Sequence, residues 1–207
     1  MNNDTIGTIM ITQQQIREKA AEIGKQIDAD FAGESVVLVG ILRGSVPWMV
    51  DVMQNIKLDT VIDFMAVSSY GSAKKSSGVV KINTDLDTDI VGKNVIIIED
   101  IVDSGNTLNY LKGYFENRDA KAVKICTLLD KPSGRQVEVD VDYIGFTVDD
   151  KFIVGYGLDY DQKYRNLPYI TYLDLYLMAL VLLLSQNSTK FVSRLEQKII
   201  SDYLCII

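Results

Sequence analysis

The segment from Val95 to Thr107 constrains the fold more than any other part of the chain. It begins with four β-branched residues, Val95 to Ile98, which predict a buried strand. Two adjacent acids, Glu99 and Asp100, end this predicted strand, and a short run of mostly small polar residues then opens a predicted helix. A strand that passes through such a turn into a helix leaves unpaired backbone N–H groups pointing outward. The segment therefore predicts an anion site.

The residues around this turn favour a phosphorylated sugar as the anion. Two carboxylates suit vicinal hydroxyl groups, which need hydrogen-bond acceptors. A strand that merely ends in surface acids is the simpler interpretation, but two adjacent acids followed by a third at Asp103 disfavour it. The residues predicted to hold the phosphate are Asp103, Ser104, Gly105, Asn106 and Thr107.

Strand and helix patterns alternate along the rest of the chain. Strands are predicted at 35–42, 60–67, 93–100, 122–129, 141–146 and 152–155, and helices at 12–31, 46–56 and 107–117. This alternation predicts a mostly parallel sheet flanked by helices, in which ligands bind beyond the C-terminal ends of the strands. Polar clusters follow several predicted strands, at Arg43-Gly44, Ser69-Tyr70, Glu99-Asp100 and Lys131.

Composition excludes several classes of chemistry. The 207 residues include no histidine, so His-based triads, His metal sites and imidazole bases are excluded. The net charge of −7 argues against binding to bulk nucleic acid or to anionic membranes. Cys126 and Cys205 lack metal-like spacing, and Cys126 is expected in the core. No signal peptide is evident at the N-terminus, and the cytoplasm is the expected location.

The strand, acids and turn of residues 95–107 resemble the diphosphoribosyl-binding motif of the type I phosphoribosyltransferases. The resemblance implies that family's fold, a central and mostly parallel sheet flanked by helices, with a small hood and a mobile lid loop. It places the ribose hydroxyls and Mg²⁺ on Glu99 and Asp100, and the 5-phosphate on the turn from Asp103 to Thr107. Asp103 is then the general base or hydrogen-bond partner near N7 of a purine.

Two further segments are similar to parts of the 6-oxopurine members of this family. Gly40-Ile41-Leu42-Arg43-Gly44 resembles their diphosphate loop, in which the bond equivalent to Leu42–Arg43 can be a cis non-proline peptide. The resemblance assigns Arg43, Gly44 and Arg165 to the diphosphate. Ser69-Tyr70-Gly71 resembles the start of the lid, which would shield a cation-like sugar from water.

The base-binding residues follow from the same resemblance. Lys131 would donate to the purine 6-oxo group, a contact that favours hypoxanthine and guanine over adenine. Residues 152–160 are similar to the family's base-binding segment. There Phe152 would stack on the purine, the backbone of Ile153 would read its edge, and Asp159 would bind a second Mg²⁺ through water.

Together these motifs resemble the bacterial hypoxanthine-guanine branch of the family, over about residues 5–170. The resemblance implies purine salvage: a 5-phosphoribosyl group moves from 5-phosphoribosyl 1-diphosphate to N9 of hypoxanthine or guanine. Two small-molecule substrates and a homodimer or homotetramer are expected. Three alternatives remain: specificity for xanthine or a pyrimidine, a non-catalytic regulator that binds the donor, and a generic nucleotide-binding domain, which Glu99 and Asp100 disfavour.

The sequence predicts a phosphoribosyltransferase domain over residues 1–170 and an atypical extension over 171–207. The extension does not match the family, and its apolar spacing predicts helical structure. It is interpreted either as a helical hairpin or oligomer contact, or as a tail produced by a shifted reading frame. Activity and stability after truncation at Ile170 would distinguish these interpretations.

Overall fold

A computed structural model describes residues 7–69 and 80–173. The helices are α1 (Gln13–Asp30), α2 (Val46–Met53) and α3 (Asn106–Glu116). The strands are β1 (Val36–Leu42), β2 (Thr60–Ser69), β3 (Val80–Thr84), β4 (Asn94–Val102), β5 (Ala122–Asp130), β6 (Tyr143–Thr147), β7 (Ile153–Val154) and β8 (Thr171–Tyr172). A 3₁₀ turn at Pro132–Gly134 follows β5.

Six strands form one sheet in the order β3-β2-β1-β4-β5-β6. All neighbours are parallel except β3, which is antiparallel to β2. Gly40 pairs with Ile98 and Ile98 with Cys126, so the C-terminal ends of the three central strands lie side by side. The predicted mostly parallel sheet with flanking helices is confirmed, and this register brings the polar strand ends to one edge.

Alternate residues of the central strands face two separate hydrophobic clusters. On one face, Leu38, Ile96 and Ile98 pack with residues of α1 and α2, including Ile16 and Trp48. On the other face, the neighbouring strand residues pack with α3, and this second cluster includes Val39, Ile97, Leu108, Leu111 and Phe115. Helices on both faces explain why the strands are apolar throughout instead of alternating.

Local sequence signals account for the start of α1. Thr12 caps the helix, and the Gln15 side chain accepts from the Thr12 N–H at 2.8 Å in a complete capping box. Ile16, Ala20, Ile23 and Ile27 form the buried face that the spacing predicts.

Two predicted element bounds differ clearly from the structure, and the strands β3 and β8 were not predicted, although β8 lies at the start of the segment expected to be helical. β4 continues through Val102, so Glu99 and Asp100 lie inside the strand instead of ending it. α2 ends at Met53, whereas a helix to residue 56 was predicted. The antiparallel strand β3 was not predicted, because it is short and mostly solvent-facing, with only Val80 fully buried. Pairing with β2, which only the fold supplies, makes it a strand.

β7 and β8 form a separate two-stranded sheet, the hood, and Ile11 bridges to Ile170 beside it. The hood continues through the buried residue Leu173, whose N–H donates to the carbonyl of Phe152 at 2.9 Å. Most of the predicted extension, residues 174–207, lies outside the described residues and includes Cys205. In the part of the chain that the structure describes, no helix has the length and apolar character to cross a membrane.

Candidate active site at the carboxyl edge of the sheet

The turn between β4 and α3 forms one wall of an open pocket of about 130 Å³. The pocket is lined by Glu99, Ile101, Val102, Asp103, Ser104, Gly105, Thr107 and Leu108. Gly105 caps α3 with a positive φ of 82°, a conformation that glycine adopts without steric cost. The first turn of α3 has N–H groups without intrahelical acceptors, so this wall suits an anion.

The adjacent carboxylates of Glu99 and Asp100 face different parts of the site. Glu99 lines the pocket, whereas Asp100 lies against the turn after β1, where a Cβ on Gly44 would be 1.5 Å from Asp100 Oδ2. Glycine at position 44 is therefore required for the close approach. The structure thus places the two predicted ribose-binding acids between the phosphate loop (residues 103–107) and the predicted diphosphate loop.

Burial makes both carboxylates difficult to ionise. The pKa of Glu99 is raised well above its ordinary value by burial and then by the Asp100 carboxylate. Burial also raises the pKa of Asp100, although a hydrogen bond from the Ile101 N–H at 2.7 Å and the charge of Arg165 favour its ionised form. Among the described residues, Glu99 Oε2 has no hydrogen-bond partner although it is buried.

This unpartnered oxygen is the observation that fits a bound cation. A hard divalent ion takes oxygen ligands, and Mg²⁺ is commonly held by one or two carboxylates together with substrate phosphates. The described residues contain no group of three or more acidic, Cys or His side chains that could hold a metal alone. Glu99 and Asp100 therefore fit a Mg²⁺ that arrives with a phosphorylated ligand.

The turn after β1 matches the geometry implied by the sequence resemblance. The Leu42–Arg43 peptide bond is cis. Arg43 Nη1 donates to Gln162 Oε1 at 3.2 Å, which orients the guanidinium toward the loop that follows the hood strand β7. A Cβ on Gly157 would lie 1.9 Å from the Gly44 carbonyl oxygen, so this loop packs directly on the turn.

Arg165 and Asp159 contact each other in the same loop. Arg165 Nη2 lies 2.6 Å from Asp159 Oδ1, and Arg165 Nη1 donates to the Gly157 carbonyl at 2.7 Å. Asp159 also accepts from the Gln162 N–H at 2.8 Å. Arg165 is close enough for its charge to oppose the rise in the pKa of Asp100 that burial causes, which supports its predicted place beside the diphosphate. The water-mediated metal role of Asp159 stays a prediction, because its carboxylate here is paired with Arg165.

A contact between Lys131 and Asp150 brings the end of β5 to the segment that leads into Phe152 and Ile153. Lys131 follows β5, and its Nζ lies 2.6 Å from Asp150 Oδ1. Phe152 is 39% exposed and packs edge-on against Tyr160, with ring centroids 5.4 Å apart. Ile153 is buried at the start of β7. A partly exposed aromatic ring, two residues after the partner of a lysine, offers a stacking surface and a hydrogen-bond donor for a flat heterocycle.

Asp103, the first residue of the phosphate loop, contacts the turn that follows β5 and Lys131. A Cβ on Gly134, in the 3₁₀ turn after β5, would be 1.6 Å from Asp103 Oδ1. The Asp103 carboxylate therefore rests on the turn that begins just after Lys131. Of the predicted lid residues, Ser69 ends β2, and Tyr70 lies outside the described residues.

Several residues of the site were not identified from the sequence. Asp150 and Gln162 bind the predicted functional cations Lys131 and Arg43, and the side chains of Asp130 and Arg135 pair behind the phosphate loop. The one available signal was the dense cluster of charged residues around each motif. The contacts of these four side chains could not be predicted, because they depend on how the loops after different strands pack together. Cys126 is a buried core residue as expected, and burial raises its pKa to about 12.

Comparison with known proteins places this site in a family. The family model described as "Phosphoribosyl transferase domain" matches residues 7–161. The hypoxanthine-guanine phosphoribosyltransferase of Streptococcus thermophilus is 50% identical over 165 residues, which are 80% of this chain and 92% of that protein. A crystal structure of a hypoxanthine-guanine phosphoribosyltransferase from Bacillus anthracis is 47% identical, with a TM-score of 0.78 over 81% of this chain and 99% of the other.

Some relatives are much longer than this chain. The bifunctional protein TilS/HprT of Listeria monocytogenes is 48% identical over 170 residues, which are 82% of this chain, yet the match spans only 26% of that protein. The match to the family model covers most of the chain, and it includes the phosphate loop, both acids and the predicted diphosphate loop. The chain therefore belongs to the phosphoribosyltransferase family, as its strand, acids and phosphate loop had indicated.

Proposed function

We propose that this chain is a purine-salvage enzyme that transfers a 5-phosphoribosyl group from 5-phosphoribosyl 1-diphosphate to N9 of hypoxanthine or guanine. The products are IMP or GMP and diphosphate. The main support for the proposal is the pocket lined by Glu99 and the phosphate loop. This pocket places a hydrogen-bond acceptor for the ribose hydroxyls a few residues away from an anion site. The names of the S. thermophilus and B. anthracis relatives support the choice of base.

Donor binding uses three groups of residues at the carboxyl edge of the sheet. The phosphate loop binds the 5-phosphate through backbone N–H groups and the hydroxyls of Ser104 and Thr107. Glu99 and Asp100 accept hydrogen bonds from the ribose hydroxyls. Arg43, Gly44 and Arg165 bind the diphosphate, a role supported by the contacts of both arginines with the loop at Gly157–Gln162.

The base binds near the Asp103 carboxylate, between Lys131 and Phe152. Phe152 stacks on the purine, the backbone of Ile153 reads its edge, and Lys131 donates to the 6-oxo group. Because an ammonium has only donors, Lys131 selects an oxo group over the amino group of adenine. Binding of the base requires Lys131 to share or exchange its contact with Asp150.

Breaking the C1–O bond of the donor develops positive charge on the sugar and negative charge on the leaving diphosphate. Arg43 and Arg165 stabilise the leaving group. Asp103 accepts a hydrogen bond or proton from the purine, and with no histidine in the chain this task falls to a carboxylate. A Mg²⁺ held by Glu99 and Asp100, with Asp159 as a further water-mediated contact, would neutralise charge on the donor.

The sharpest test measures diphosphate release from the donor with magnesium, offering hypoxanthine, guanine, xanthine, adenine and uracil separately. The proposal expects turnover with hypoxanthine or guanine and little with adenine or uracil. Turnover confined to xanthine or uracil would overturn the base assignment. Donor binding without turnover of any base would instead support a non-catalytic regulator. If calorimetry detects no donor binding, the proposed donor site is refuted.

The resemblance also leads us to propose a cytoplasmic location and assembly into a homodimer or homotetramer. Light scattering of the full chain would measure the assembly. Residues 171–207 are proposed to form an extension to the phosphoribosyltransferase domain. Because β8 and the buried Leu173 belong to the hood, truncation after Leu173 is a cleaner test of that extension than truncation at Ile170.

A further inference from the structure

The segment from Asp130 to Val137 runs directly behind the phosphate loop and is bonded to it at several points. The N–H groups of Gln136 and Val137 both donate to the Ser104 carbonyl, at 2.9 and 3.0 Å. Asn106 Nδ2 donates to Gln136 Oε1 at 3.0 Å. The loop backbone is therefore held from behind, while its front faces the pocket.

Arg135 lies at the centre of this segment, and its guanidinium is ion-paired with Asp130. The side chains are 14% and 12% exposed, whereas those of Arg118 and Asp85, an ion pair between residues just after α3 and just after β3, are 34% and 43% exposed. A Cβ on Gly105 would be 3.2 Å from Arg135 Cδ and 2.3 Å from the Val137 carbonyl oxygen. Arg135 thus packs against the one residue of the phosphate loop that requires a positive φ.

The partner of Arg135 connects this contact to the base region. Asp130 ends β5, and the next residue is Lys131, whose N–H donates to the Val102 carbonyl at 2.9 Å. A buried ion pair is costly to break from one side, because the remaining charge stays desolvated. Arg135 therefore ties the end of β5 to the back of the phosphate loop with a contact that resists rearrangement.

We propose that Arg135 is a positioning residue that keeps the phosphate loop in its anion-binding geometry through the ion pair with Asp130. This inference rests on the proposed function, since it assigns the loop to the 5-phosphate of the donor. The 5-phosphate does not react, so Ser104 to Thr107, the loop residues other than the proton acceptor Asp103, bind it equally in the ground state and the transition state. Loss of Arg135 should therefore weaken donor binding and leave kcat nearly unchanged.

The test compares Arg135→Gln, Arg135→Lys and Asp130→Asn with the parent in the full chain. Arg135→Gln and Asp130→Asn should each raise the donor KM and the Kd for ribose 5-phosphate by about tenfold, the effect expected when a group supporting a binding residue is removed. Arg135→Lys keeps the charge and should recover part of that affinity. The KM for hypoxanthine and the kcat should stay within about twofold of the parent values.

Arg118→Gln is the matched control, because it removes the same charge from the more exposed ion pair with Asp85. It should leave the donor KM unchanged. If Arg135→Gln does not fold, the comparison with the parent is made with Arg135→Lys and Asp130→Asn. A donor KM and ribose 5-phosphate Kd equal to the parent's in the folded variants would overturn the inference. An equal rise in the KM for the donor and for hypoxanthine would also overturn the inference, because it would indicate that the whole site, and not the phosphate loop in particular, has lost its structure.

A parent enzyme without turnover would contradict the proposed function and not the role of Arg135. In that case the Kd for ribose 5-phosphate still decides the inference, because it reports on the loop without chemistry. A parent that binds ribose 5-phosphate and variants that bind it about tenfold more weakly would support the positioning role. Unchanged binding in the variants would refute it.

Discussion

The phosphate loop and the charged side chains around it present their binding groups in two different ways. The loop offers backbone N–H groups at the start of α3, held in place from behind by residues 130–137. The cations of the base and diphosphate regions are instead already bonded to neighbouring side chains. These pairs are Lys131 with Asp150, Arg165 with Asp159 and Arg43 with Gln162.

This difference determines how each region responds to a ligand. Among the described contacts of the loop's binding groups, an anion would displace only a long hydrogen bond of 3.4 Å from the Asn106 N–H to Ser104 Oγ, so the affinity of the loop depends mainly on its geometry. The cations must share or exchange a partner, so the internal contact competes with the ligand. Changes to the loop are therefore expected to have large effects, and changes to the internal partners small ones. Four substitutions test that comparison.

The largest effect is expected at Asp103, where the two regions meet. Asp103→Asn keeps the shape of the side chain and its packing on Gly134, but removes the proton acceptor. The kcat should fall by about 10²–10⁴-fold with only a modest change in donor binding, as is usual for an acid–base group. Steady-state kinetics and calorimetric donor titration measure the two quantities. Turnover of Asp103→Asn at the parent rate would show that Asp103 is not the proton acceptor.

A large effect on binding is expected at Gly105, inside the loop. A Cβ there would be 2.3 Å from the Val137 carbonyl oxygen at a φ of 82°, so Gly105→Ala must displace the loop. The donor KM should rise by about 10- to 100-fold.

Gly33→Ala is the matched control for Gly105→Ala. Gly33 has the same φ of 82°, but nothing lies within 4 Å of the added Cβ. Both substitutions strain the backbone by about 1–2 kcal/mol. Only the one at Gly105 should therefore change the donor KM, and an equal change in both would show that backbone strain, and not loop geometry, is responsible.

A moderate effect on stability is expected at Glu99. The raised pKa means that ionised Glu99 destabilises the metal-free protein, so stability falls as the pH rises through that pKa. In chelator at pH 8, Glu99→Gln should raise the Tm by roughly 2–4 °C for each 1 kcal/mol gained. It should also weaken magnesium-dependent donor binding.

The pH dependence provides the control for Glu99→Gln. As the pH falls, the parent carboxyl becomes protonated and neutral like the amide. The difference in Tm between the two proteins should therefore shrink toward acidic pH. A constant difference from pH 8 to pH 5 would indicate that burial of the ionised carboxylate is not its source.

The smallest effect is expected from freeing a cation of its internal partner. Asp150→Asn removes the charge that competes with the base for Lys131. The KM for hypoxanthine should fall by about 1.5- to 5-fold, which corresponds to a partly exposed ion pair of about 0.2–1 kcal/mol. Asp149→Asn makes the same charge change one residue away and should have less effect. A higher KM in Asp150→Asn would show that Asp150 orients Lys131 instead of competing for it.

The sequence predicted most of the sheet because its central strands carry strong local signals. Val95 to Ile98 are apolar and β-branched, and the Thr12–Gln15 capping box marks the start of α1. β3 was missed because its five residues, although β-branched side chains alternate with polar ones, are too few to distinguish a strand from a loop. The phosphate loop was predictable as well, since its residues are contiguous. The side-chain roles proposed within it remain predictions.

The sequence by itself determined the order of the central strands and the three helices, the absence of histidine and the contiguous motifs, because these depend on neighbouring residues or on composition. Only the tertiary structure decided which distant residues meet. Asp100 approaches Gly44, Asp103 rests on Gly134, and Arg135 pairs with Asp130 beside Gly105. These contacts arise from the register of parallel strands and from packing between the loops that follow them, and neither is encoded in any local stretch of sequence.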